Sequence, residues 1–99
     1  MTLVHVAAFR LRPEVTEAEV EELHAALSRL PQVIDGIREF ACGRDAGLRE
    51  GNAGYGVVAW FDDEDAWRLY QTHPEHQRVI SDVLAPLLED RVALQFRQT

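Results

Sequence analysis

Two short runs of this chain are apolar on consecutive residues, and nothing else restricts its fold as strongly. Leu3-Val4-His5-Val6-Ala7-Ala8-Phe9 and Tyr55-Gly56-Val57-Val58-Ala59-Trp60-Phe61 are too brief for helices and rich in β-branched and aromatic side chains. Both read as strands, the first over about residues 3–11. Successive side chains of a strand point to opposite faces. Leu3, His5, Ala7 and Phe9 therefore share one face of the first strand, while Val4, Val6 and Ala8 share the other. In the second run Val57, Ala59 and Phe61 oppose Val58 and Trp60. A sheet built from these strands needs an apolar cover on both sides.

The rest of the chain supplies one cover. Thr16-Glu17-Ala18-Glu19 fits a capping box, and Val20, Leu23, Leu27 and Leu30 follow at three- and four-residue steps. The spacing predicts a helix over about 16–30, closed by Pro31. Asp35-Gly36 marks a turn before a weaker strand, Ile37 to Gly43. Residues 44–54 hold Gly47, Gly51, Asn52 and Gly54 and read as a mobile connection able to gate a pocket mouth. Asp62 and Asp63 suit a helix start, with Ala66, Leu69 and Tyr70 as the inward stripe. His73-Pro74 breaks and restarts that helix. His76, Val79, Ile80, Val83, Leu84 and Leu87 continue the stripe, and Pro86 ends or kinks it. Val92 to Phe96 forms the last strand, alternating with Ala93, Gln95 and Arg97.

The resulting order, β-α-β-β-α-β, predicts an α+β, ferredoxin-like, four-stranded antiparallel sheet with both helices on one face. Ninety-nine residues make a single domain, 1–99. A domain of that size buries only about 65% of its unfolded surface, so burial against a partner helps it. The helices leave Val4, Val6, Val58 and Trp60 uncovered, and soluble monomers seldom tolerate such a patch. A second copy of the sheet is the simplest cover, so the pattern predicts a homodimer.

The charge is −7, the basic residues are scattered arginines and there is no lysine, which argues against a nucleic-acid partner. No apolar stretch approaches the length of a membrane span, and the N-terminus lacks a secretory pattern. With one cysteine, Cys42, there is no internal disulfide. A cytoplasmic protein is expected, with no membrane partner.

Chemistry is sought among histidine and tyrosine side chains that the pattern turns inward. His76 heads the apolar stripe of the last helix, His5 lies on the inward face of the first strand, and Tyr70 ends the stripe before the break. An imidazole among leucines and valines is costly unless it is paired or faces a cavity. Convergence of the three would place acid, base and hydrogen-bond donors around one pocket. Each also has a plainer use: Tyr70 and His76 as satisfied core residues, His73 as a helix-start residue. His24, beside the stripe of the first helix, is given no role. His73 and His76 are three apart, yet two histidines with no cysteine or well-spaced carboxylate are too few for a closed metal site. No phosphate loop or nucleophile elbow is present.

The Val4-His5-Val6 strand, the Arg12-Pro13-Glu14-Val15-Thr16-Glu17-Ala18-Glu19 segment and above all Tyr70-Gln71-Thr72-His73-Pro74-Glu75-His76 resemble the stress-responsive A/B barrel (Dabb) family. Leu84-Ala85-Pro86-Leu87 and the closing strand fit it too, so the resemblance spans the chain. It implies ferredoxin-like monomers paired sheet to sheet into a dimeric α+β barrel. The family also includes a plant polyketide cyclase, the one forming olivetolic acid, in which a tyrosine and a histidine close a ring by aldol chemistry. They align with Tyr70 and His76; a further pocket histidine aligns with His5, and a second strand histidine falls at Tyr55. The implied function is a pocket for a small apolar or aromatic carbonyl compound. His76 is the base, Tyr70 the donor to a developing enolate or alkoxide, His5 a second hydrogen-bonding group, and Tyr55 and His73 are ligand-binding. No cofactor is required, because only protons and an existing electron pair move. The alternatives are a non-catalytic stress-response dimer and a haem-handling or monooxygenase-type barrel.

Overall fold

The computed structural model describes residues 2–99. β1 (Thr2–Leu11) leads into α1 (Glu17–Val33), β2 (Ile37–Arg44), β3 (Tyr55–Phe61), α2 (Glu64–Thr72), α3 (Pro74–Arg78) and β4 (Leu88–Gln98). The sheet order is β2-β3-β1-β4, with every neighbouring pair antiparallel. This is the ferredoxin-like arrangement expected from the element order.

Local chemistry explains most boundaries. The Thr16 hydroxyl accepts from the Glu19 amide at 3.2 Å, and Glu19 Oε1 accepts from the Thr16 amide at 2.9 Å, so both free donors at the start of α1 are satisfied. Asp63 caps α2, its carboxylate accepting from the Ala66 amide. Gly36 carries a φ of +95°, and a Cβ there would meet the Ala66 Cβ at 3.3 Å, so the turn into β2 depends on glycine.

Three expectations change. Pro31 does not close α1, which runs on to Val33. The proline removes one amide from the last turn only, and the Ile34 amide still reaches the Leu30 carbonyl at 2.9 Å. Leu69 is not on the inward stripe of α2: it is 65% exposed, while Tyr70 is buried. The helix after Arg78 is not regular either, since Val79–Leu84 is a π-helical stretch and Ala85–Leu87 a 3₁₀ turn before β4. Widening the helix there still leaves Val79, Leu84 and Leu87 buried.

The core lies between the helices and the inward sheet row. Leu3, Ala7 and Phe9 of β1 and Val57, Ala59 and Phe61 of β3 pack with Leu23, Leu27 and Leu30 of α1. The outward row is apolar across three strands. In register, Val4 lies between Trp60 and Phe96, Val6 between Val58 and Leu94, and Ala8 between Gly56 and Val92. Val92, Leu94 and Phe96 are exposed.

Candidate functional site

His5 reaches the site because it alternates onto the inward face of β1, between Leu3 and Ala7. Tyr70 arrives from the last turn of α2, and His76 from the first turn of α3. Pro74 lets these two helices meet at a corner. That corner is tied by the Gln77 side chain, which donates to the Gln71 carbonyl at 2.6 Å. The Tyr70 and His76 rings consequently sit 4.2 Å apart, centroid to centroid, at 51°. His5 stands edge-on to Tyr70 at 6.0 Å. The Tyr70 ring is held from behind by Phe61 at 5.3 Å.

The three residues line one cavity of about 220 Å³. Its apolar walls are Ala7, Phe9, Leu27, Val57 and Ile80, and its polar rim is Gln71, Gln77 and Arg91. A liquid water occupies about 30 Å³, so the space equals roughly seven waters. It is smaller than the ~300–1,000 Å³ typical of drug-sized ligands, which favours a small compound.

The electrostatics separate the acid from the base. Burial lowers the His76 imidazole from 6.5 to about 4, helped by the charges of His5, Arg91 and His73 and opposed by a backbone contact with Gln71. Burial likewise lowers His5, with Arg91 adding to the effect. Burial, and then the charge of Cys42, pushes Tyr70 up to about 12. At neutral pH the cavity therefore holds two neutral imidazoles that accept a proton and a phenol that donates one. His76 Nδ1 is buried with no hydrogen-bond partner. His5 is oriented by Gln95, whose Nε2 lies 2.9 Å from His5 Nδ1.

A pH effect on stability follows. The unfolded chain protonates these rings below about pH 6.5, whereas folded His76 resists protonation down to about 4. Keeping the rings neutral costs nothing above pH 6.5; the resulting stability is lost as pH falls through that window and levels off below it. The melting temperature is expected to drop from pH 6.5 to 4, less steeply in His76→Asn. A melting temperature that rises on acidification, or an identical slope in the variant, contradicts this.

Two sequence-predicted ligand residues lie elsewhere. His73 does not line the cavity; its Nδ1 accepts from the Glu75 amide at 3.1 Å and caps α3, the plainer use of a His-Pro break. Tyr55 is also absent from the lining. It is on the inward row of β3, two residues before Val57, where it stacks on Phe9 and meets His24 Nδ1 at 2.6 Å through its hydroxyl. His24, given no role from sequence, is that tyrosine's partner. None of the residues of the 44–54 connection lines this cavity. Asp45 folds the hairpin onto itself, accepting from the Gly47 amide and the Asn52 side chain at 3.0 Å each.

No group of three or more His, Cys, Asp or Glu side chains able to share a metal ion occurs among the described residues. Among the described residues no helix is long and apolar enough to cross a membrane.

The model of the stress responsive A/B barrel domain matches residues 3–98, nearly the whole chain. The chain belongs to that family. Its A/B barrel fold is similar to that of a dimeric ferredoxin-like protein of unknown function from Thermobifida fusca YX. That protein is 44% identical, with 99% of this chain and 92% of that one covered and a TM-score of 0.91. A second dimeric ferredoxin-like protein of unknown function, from Bacteroides fragilis, is 26% identical over 98% of this chain and 96% of its own, with a TM-score of 0.84. The hydroxynitrile lyase of Passiflora edulis is 15% identical over 96% and 91%, also at 0.84, a likeness of fold alone. No curated protein matches.

Within this A/B barrel domain the sequence reading missed Gln95, Arg91, Gln71 and Gln77. Gln95 carried a signal: it is in register with His5 once β4 is paired to β1. Arg91 fell outside the strand expected over 92–96, so its inward side went unread.

Proposed function

We propose that this A/B barrel protein works as a homodimer in which each protomer binds a small, largely apolar carbonyl compound and moves protons on it without a cofactor. The observation that carries this reading is the His76 ring, buried beside Tyr70 on a cavity wall, with a nitrogen left unpaired. A buried imidazole is expensive to maintain unless it is paired or faces a cavity, and His76 and His5 both line this one. His76 takes the proton, Tyr70 hydrogen-bonds the oxygen on which negative charge develops, and His5 supplies a second hydrogen-bonding group. A base held near 4 is weak, which suits a proton made acidic by adjacent carbonyls. An aldol-type ring closure or an isomerisation of a polyketide-like compound meets that description. The cavity volume points to the small end of that class. An enzyme is known on this fold, the Passiflora edulis hydroxynitrile lyase.

The dimer rests on the outward apolar row of the sheet, and both bacterial relatives with this fold are dimeric. Native mass spectrometry of the purified protein tests both parts of the proposal. The expected species is a dimer carrying a small carbonyl compound. Retained haem would favour a haem-handling barrel, and a dimer that stays empty when offered such compounds would favour a non-catalytic role.

A further inference from the structure

The chain carries 17 acidic residues and a net charge of −7, yet no acidic side chain lines the cavity. Its one full charge is the guanidinium of Arg91. Elsewhere Arg38, Arg44, Arg68, Arg78 and Arg97 are each paired with a carboxylate. Among the described residues, Arg91 has no such partner, like Arg10, Arg12, Arg29 and Arg49, and of these five it alone lines the cavity. The nearest acid in sequence, Asp90, spends its carboxylate on the Arg91 backbone amide at 2.9 Å.

The placement follows from strand register. Arg91 pairs with Phe9, Ala93 with Ala7 and Gln95 with His5, so all three β4 residues sit on the inward row. The charge is felt by both imidazoles, which Arg91 helps to keep neutral. A planar guanidinium at the rim of a cavity whose other polar groups are uncharged is matched to a carboxylate, which it can hold with two parallel hydrogen bonds.

We propose that the cavity takes a carbonyl compound that also bears a carboxylate, with Arg91 holding the anion and Tyr70 and His76 receiving the carbonyl end. This rests on the small-carbonyl reading above and narrows it to oxo acids. One full cation in the lining, beside two neutral imidazoles, suits a monoanion rather than a phosphate ester. Binding also removes an obstacle to catalysis: the carboxylate offsets the Arg91 charge that disfavours a protonated imidazole, so His76 becomes a better base once substrate is bound.

Two probes of nearly equal shape separate the terms. Acetoacetate is an oxo acid, and pentane-2,4-dione replaces its carboxylate with a neutral acetyl group. Calorimetric titration at low ionic strength is expected to show acetoacetate binding at least tenfold more tightly. In Arg91→Gln the preference should fall to within about twofold, with the dione's affinity unchanged, and Arg91→Lys should recover part of it. Arg91 is exposed and outside the core, so the melting temperature should stay near that of the unaltered protein. A dione that binds as tightly as acetoacetate, or a preference that survives Arg91→Gln, overturns the assignment while leaving the carbonyl pocket standing. If neither probe binds, the small-carbonyl reading falls and the oxo-acid proposal with it.

Discussion

Tyr70→Phe and His76→Asn are each expected to reduce turnover of the compound held in the cavity by about 10²- to 10⁴-fold, the usual worth of a positioned proton-transfer group. The Phe change deletes one hydroxyl and keeps the ring against Phe61, so the fold should persist. The two rings stand 4.2 Å apart and serve a single proton-transfer event. The double variant should therefore lose little more than the worse single one, because groups acting as a unit are not additive. Circular dichroism and sedimentation on the same samples separate catalysis from folding. If the single losses instead multiply, or the variants merely melt earlier while turnover per folded molecule is unchanged, the residues are structural.

The second large effect is expected at the outward face. Val6→Asp should convert the dimer to folded monomer, or to aggregate, at concentrations where the unaltered protein is dimeric. Val6 sits mid-row between Val58 and Leu94, with Trp60, Phe96 and Val92 around it. An aspartate sealed there between two sheets is an unpaired buried charge, costing about 3–5 kcal/mol. At 1.4 kcal/mol per decade, that weakens association by roughly two to three and a half orders of magnitude. In the separated protomer the same position is only half-buried, so the fold itself should tolerate the change. Equilibrium sedimentation reads the difference. An unaltered dimer would mean that another surface joins the protomers.

The fold was legible because its signals were local and agreed with one another. The Thr16–Glu19 box, the Val20-Leu23-Leu27-Leu30 stripe and the two-faced strands each name an element, and together they allow one chain order. The site was half legible for the same reason: alternation turns His5 inward, and the break at Pro74 brings Tyr70 to His76. What failed depended on how far an element continues. Pro31 suggests a stop, but the bond from Ile34 to Leu30 carries the last turn past it. Leu69, three residues after Ala66, fits the stripe by spacing, but only Tyr70, four after Ala66 and three after Trp67, turns inward. Tyr55 is expected at the pocket from the family resemblance and His73 from its place beside the Pro74 break. Here each satisfies a neighbour, His24 for one and the Glu75 amide for the other. Arg91 and Gln95 emerge only from the register between β1 and β4, which no single segment encodes.

The four histidines permit the most direct measurement. His5 and His76 line the cavity, whereas His24 partners Tyr55 and His73 caps α3. Pentane-2,4-dione added to protein with ¹⁵N-labelled histidine should shift the His5 and His76 ring resonances together and leave the other two unmoved. Saturation with no shift at His5 and His76, or with shifts confined to His24 and His73, would contradict a ligand site built on Tyr70 and His76.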